Sequence, residues 1–131
     1  MTTLSASDRI VVDSTGWVEY LANGPKASSF TPSIESQAVL LLPSIVVYEV
    51  HRKMYREQGK GLADVFLTHA LGFGERLIPL SFELAVLASK TSLEANLPIM
   101  HAIIYATAHD CDARLITTDA HFANLPKVTL V

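Results

Sequence analysis

Short apolar runs that end on turn residues alternate along the whole chain with longer stretches of helical periodicity, and this alternation constrains the fold more than any other feature. Repeated strand–helix–strand units favour a parallel sheet, because each crossover helix packs back onto a face of the sheet. Five strands are predicted, at residues 9–13, 38–42, 76–80, 114–117 and 128–131. Helices are predicted at 16–21, 45–57, 62–71, 82–95 and 100–109. Hydroxyl residues stand at four strand-to-helix junctions, Ser14 or Thr15, Ser44, Ser81 and Thr118, each placed to accept a bond from a free helix N–H. Between the first two strands Pro25 and Pro32 interrupt a weakly helical segment in which Thr31 would be the cap and Pro32 the first helical residue. Gly59 and Gly61 separate two consecutive helices, which makes a helical hairpin.

A length of 131 residues suits one domain, 1–131, with residues 1–8 as a flexible lead into the first strand, and it is long enough to bury a core without disulfides. Half of the residues are apolar and 18% are charged, so more apolar surface is available than a small core hides. A partner chain, a homodimer or both are therefore expected. The longest apolar stretch, residues 38–50, is interrupted by Pro43, Ser44 and Glu49 and is too short to span a bilayer. With no secretory signal at the polar N-terminus and a single cysteine, Cys111, a soluble protein of the reducing cytoplasm fits, with no membrane partner. A net charge of −3 argues against a protein that holds nucleic acid by a global positive field. Any such contact must be local.

In open parallel sheets ligands bind beyond the carboxyl ends of the strands. Asp13 ends the first strand, and Asp119 follows the fourth in Leu-Ile-Thr-Thr-Asp. Glu49 lies about one turn into the helix after the second strand, on a stripe with Ile45, Tyr48 and Arg52 that can face the same edge. Singly, each has a plain structural explanation: Asp after a strand caps or turns, and Glu49 has Lys53 four residues on as an ion-pair partner. Together they are harder to dismiss, since two unit charges about 4 Å apart repel by roughly 4 kcal/mol at an effective dielectric near 20. Clustered carboxylates call for a cation, and hard oxygen ligands favour Mg²⁺ or Mn²⁺.

Four segments carry a resemblance. They are Ile-Val-Val-Asp-Ser-Thr-Gly-Trp-Val-Glu-Tyr-Leu at 10–21, Pro-Ser-Ile-Val-Val-Tyr-Glu-Val at 43–50, Leu-Pro-Ile-Met-His-Ala-Ile-Ile-Tyr-Ala-Thr-Ala at 97–108, and Leu-Ile-Thr-Thr-Asp-Ala-His-Phe at 115–122. In this order and spacing the chain from 9 to 131 resembles a PIN domain, in particular the small VapC-type toxins of bacterial toxin–antitoxin pairs. The resemblance implies a three-layer α/β/α fold and an endoribonuclease dependent on Mg²⁺ or Mn²⁺. It implies Asp13, Glu49 and Asp119 as metal-site acids, with Ser14 and Thr117 supplying hydroxyls toward substrate. It also implies a cognate antitoxin that docks in a groove of the helical hairpin at 45–71 and delivers a blocking side chain.

One position departs from the family pattern. The third acid normally precedes Ala-Ile-Ile-Tyr-Ala-Thr-Ala, and here His101 stands there. A neutral imidazole can coordinate a metal and suits Mn²⁺ or Zn²⁺ better than Mg²⁺. The alternative is an ordinary helix residue on a face with Ile104, Tyr105 and Ala108. Asp110 cannot substitute, because nine residues along one helix is about 13 Å. Arg52, Lys53, Arg56 and Lys60 form the one local basic cluster, either a phosphate-binding strip beside Glu49 or a solvated helix face. The rival to a nuclease is a module that binds RNA or an antitoxin without turnover. A phospho-acceptor receiver domain lacks its carboxylate at the third strand, which ends Ile-Pro-Leu-Ser, and Gly59-Lys60-Gly61 lacks the spacing and strand of a phosphate loop.

Overall fold

The computed structural model describes residues 3–131. Its five strands are β1 (Arg9–Val12), β2 (Val39–Pro43), β3 (Leu77–Ile78), β4 (Arg114–Thr117) and β5 (Val128–Leu130), all parallel and in the order β3-β2-β1-β4-β5. Six helices connect or flank them: α1 (Ser14–Ala22), α2 (Ala27–Ile34), α3 (Ser44–Gln58), α4 (Lys60–Leu71), α5 (Phe82–Ala95) and α6 (Ile99–Asp110). In β1, Ile10, Val11 and Val12 are all buried although successive side chains point to opposite faces, so both faces of the sheet are covered. This is the expected α/β/α sandwich.

The strand order decides where a site can form. From β1 the chain builds outward through β2 to β3, then returns to place β4 on the other side of β1. The connections therefore diverge between β1 and β4, which leaves a crevice at the carboxyl ends of those two strands. Asp13 and Asp119 lie just past those ends. At the head of α1 the packing is tight: a Cβ on Gly16 would stand 2.5 Å from the Phe30 ring and 2.7 Å from Val12, so glycine is required for α1 to lie this close to β1 and α2. Trp17 follows, with its ring 6.2 Å from Phe66 and 6.0 Å from Phe73, tying α1 to the α4 side of the core.

Several expected details are corrected. The third strand shrinks from 76–80 to two residues, because Pro79 has no N–H for the ladder and the Leu80 N–H turns to the Ser44 hydroxyl at 3.0 Å. That bond occupies Ser44, and α3 has no side-chain cap. Asp13, rather than Ser14 or Thr15, caps α1, and Asp119 replaces Thr118 as the capping residue after β4. Of the four hydroxyls only Ser81 caps its helix, accepting from the Leu84 N–H at 3.1 Å. The segment with Pro32 begins earlier, as α2, and Thr31 lies inside it with its hydroxyl on the Ala27 carbonyl. Pro32 leaves the carbonyl four residues back, that of exposed Ser28, without its helical partner. In the α3–α4 hairpin Gly59 alone makes the turn, with φ of 94°, while Gly61 lies inside α4.

Residues 1 and 2 of the expected flexible lead lie outside the described residues. Further along it, Ser5 and Asp8 close a turn through a Ser5 N–H to Asp8 Oδ2 bond of 2.7 Å. Among the described residues no helix is long and apolar enough to cross a membrane.

Candidate metal centre

Asp13 occupies the junction between β1 and α1 and is 4% exposed. Its Oδ1 accepts the Ser14 backbone N–H at 2.8 Å, and its Oδ2 accepts the Thr117 hydroxyl at 2.8 Å. Burial raises the Asp13 carboxyl above its ordinary range and nearby Asp119 adds to this, while the bonds from Thr117 and Ser14 oppose the rise. Thr117 was expected to face substrate. Instead it is wholly buried, its Oγ1 donating to Asp13 and accepting the Asp119 N–H at 3.0 Å. It holds the Asp13 carboxylate and the Asp119 backbone, and its hydroxyl has no surface to offer a substrate.

Glu49 projects from α3 toward the same place. Burial raises its carboxyl too; Ser14 lowers it by a hydrogen bond, Asp13 raises it by negative charge, and His101 lowers it. Its Oε1 is enclosed without a hydrogen-bond partner, and among the described residues it makes no ion pair with Lys53. Thus the ion-pair explanation fails, and a buried carboxylate oxygen is left unsatisfied.

The third part of the centre follows β4. Asp119 Oδ2 lies 2.7 Å from His101 Nε2, and its Oδ1 lies 2.7 Å from His121 Nδ1 and accepts the His121 backbone N–H at 2.9 Å. Burial pushes the Asp119 carboxyl upward, but the His121 N–H, the two imidazoles and the charge of His101 together hold it at about 2. His101 is therefore more than an ordinary helix residue: its ring faces Asp119 and packs 5.2 Å from Phe122 and 4.6 Å from His121. Asp110 ends the same helix, exposed, at its far end.

The four positions singled out in the sequence, Asp13, Glu49, His101 and Asp119, are thus gathered at one end of the sheet. Their donor set fits a divalent cation. Two of the carboxyls are raised by burial and by neighbouring negative charge, and one oxygen is orphaned; a cation relieves both conditions. His121 was missed. It is the third member of a group, with His101 and Asp119, whose ligand atoms lie within 4.8 Å of one another. The signal was present in Asp-Ala-His, but only the short 3₁₀ turn Ala120–Phe122 folds that His back onto the Asp.

Beside the centre runs a cleft of about 410 Å³ lined by Ser14, Thr15, Tyr48, Glu49, Arg52, Lys53, Arg56 and Met100, among others. Three of the four predicted basic residues face it. Lys60 does not, because it opens α4 and pairs with Asp64 at 2.6 Å. Ser14 lies where the cleft meets Asp13.

A family model described as PIN domain matches residues 10–128. Among curated proteins none matches the chain in sequence. Among solved structures, a toxin–antitoxin complex from Klebsiella pneumoniae contains a chain that superposes with a TM-score of 0.71 at 20% identity, covering 92% of this chain and 95% of that one. A chain of VapBC2 from Rickettsia felis, bound to a DNA fragment from its promoter, gives 0.66 at 17% identity, with 94% and 97% covered. A chain of FitAcB from Neisseria gonorrhoeae gives 0.61 at 16%, with 86% and 88% covered. At these identities the structural likeness speaks to fold.

Proposed function

The chain belongs to the PIN-domain family, and from that premise we propose that it is a metal-dependent endoribonuclease, the toxin of a type II toxin–antitoxin pair, which hydrolyses phosphodiester bonds of RNA. The observation that carries this reading is the convergence of Asp13, Glu49, His101 and Asp119, from four separate parts of the chain, with Glu49 Oε1 left unpartnered among them. These four would hold Mg²⁺ or Mn²⁺. When bound, the ion supplies Lewis acidity that activates a water and neutralises charge building on a phosphodiester. The chain supplies the rest. Thr117 locks Asp13 and the Asp119 backbone in place, and Arg52, Lys53 and Arg56 line the cleft on the Glu49 side, where they would seat the phosphates on each side of the cut.

The structural likeness to chains of toxin–antitoxin complexes supports a cognate antitoxin. The α3–α4 hairpin offers that partner exposed Tyr48, Tyr55, Val65 and Leu71. A homodimer would use a different face, where Phe82, Leu93 and Ile99 stand 79%, 84% and 75% exposed on α5 and α6. A cytoplasmic protein suits both partners.

A second reading, RNA or antitoxin binding without turnover, draws on one observation: His101 removes a negative charge from the centre and engages Asp119 directly. Metal-dependent cleavage by the natural chain separates the two, and Glu49→Gln then tests the site. If the enclosed carboxylate is part of a working cation site, this substitution lowers Mn²⁺-supported RNA cleavage by about 10²-fold with the fold intact; undiminished cleavage removes Glu49 from the site. For the cleft, replacing Arg52, Lys53 and Arg56 together by Gln should weaken binding to all RNA sequences alike and flatten the salt slope by about 2, at roughly 0.7 per phosphate contact. A changed sequence preference at constant salt slope would contradict a phosphate-seating role.

A further inference from the structure

We infer that His121 completes, with His101 and Asp119, a nitrogen-rich ligand set that takes a borderline transition-metal ion of the Zn²⁺ class in strong preference to Mg²⁺. The three side chains come from two elements only, α6 and the turn after β4, and their ligand atoms already converge: His101 Nε2 and His121 Nδ1 each stand 2.7 Å from a different oxygen of the same carboxylate. All three ligand atoms lie within 4.8 Å of one another. Two imidazoles and one carboxylate, with room left for water, form a donor set used by catalytic zinc sites, whereas Mg²⁺ selects oxygen donors. The framework is also fixed in advance. The His121 N–H holds the Asp119 carboxylate, the Asp119 N–H ties the turn to the Thr117 hydroxyl, and the buried Phe122 ring packs at a tilt against His101.

The plain alternative is that His121 is a hydrogen-bond donor that merely steadies Asp119. The two roles differ in what replaces them. Gln can donate to a carboxylate but brings no imidazole, and the half-exposed His121 side chain can be changed without disturbing the core. The inference concerns binding, so it stands whether or not the chain cuts RNA.

The test is titration of the metal-free chain, carrying no histidine tag, with Zn²⁺ and Mg²⁺ by calorimetry, and with Co²⁺ by visible absorption. One high-affinity Zn²⁺ per chain is expected, bound at least 100-fold tighter than Mg²⁺. Co²⁺ should give nitrogen-ligated d–d bands that Zn²⁺ abolishes and excess Mg²⁺ does not. His121→Gln and His121→Ala should each weaken Zn²⁺ by about tenfold or more while leaving Mg²⁺ affinity within about twofold. Zn²⁺ affinity unchanged in both variants would overturn the inference, as would Mg²⁺ displacing Co²⁺ at comparable concentration. Rescue of Zn²⁺ binding by Gln but not by Ala would assign His121 the steadying role. Failure of the nuclease reading shows separately, as absent RNA cleavage with any ion.

Discussion

Asp13→Asn is expected to abolish metal-dependent RNA cleavage, by about 10³-fold or more, and at the same time to raise the melting temperature of the metal-free protein. The two effects have one cause. Asp13 is almost fully buried and its carboxyl is raised above the ordinary 3.8, mainly because burial disfavours the charged form. The folded chain therefore binds this proton more tightly than the unfolded chain. By linkage, stability contributed by the neutral form is present at low pH and is lost as pH rises from 3.8 through the raised folded value, so at neutral pH the ionised group weighs against the fold. Asn removes that charge and retains a carbonyl for the Ser14 N–H. A divalent ion bound there would offset the charge, and at about 100 times its dissociation constant it should add about 2.7 kcal/mol of stability. Asp13→Asn should lose most of that increment. Thermal melts with and without Mn²⁺ check both halves; an unstable variant would instead give Asp13 a purely structural capping role.

His101→Asp has the second large effect. The natural centre holds three carboxylates and an imidazole, a set that tolerates Mn²⁺ better than Mg²⁺, and cleavage should therefore prefer Mn²⁺. Supplying a fourth carboxylate should raise Mg²⁺-supported cleavage by about tenfold or more and shrink the Mn²⁺ advantage. The same change should lower the metal-free melting temperature, because Asp119 loses an imidazole that helps hold its charge and gains a like-charged neighbour. His101→Ala completes the set: lost activity makes the imidazole a working ligand, and unchanged activity means that three acids suffice. A His101→Asp protein with unaltered metal preference would place residue 101 outside the cation's reach.

The architecture was legible because periodicity records burial. β4 at 114–117 and α5 at 82–95 lie where apolar spacing puts them, and the sheet order brings Asp13 and Asp119 to the same edge, as the strand ends implied. What periodicity could not show was how polar groups divide their bonds. Ser44 looks like a helix cap but serves the Leu80 N–H across the sheet, and Pro79 ends β3 where apolar pattern alone would continue it. The cap at α1 is Asp13 itself, so one carboxylate both starts the helix and enters the site. Thr117 sits between two acids rather than before a substrate, because the inward face of β4 leaves it no exposed surface. His121 was passed over for a similar reason: its neighbour two residues back becomes its partner only in the geometry of the 3₁₀ turn. Glu49 shows the converse, a residue whose helical stripe pointed correctly to the edge but whose orphaned oxygen is a property of the assembled core.

The most direct test of a metal-dependent endoribonuclease is a gel assay of one structured RNA incubated with the metal-stripped chain, in chelator and after readdition of Mn²⁺ or Mg²⁺, with the His101→Asp protein in parallel lanes. Discrete internal cuts are expected that vanish in chelator, return with Mn²⁺, and return more weakly with Mg²⁺ except in His101→Asp. RNA left intact by both proteins with every ion, or cut equally well in chelator, would contradict the account.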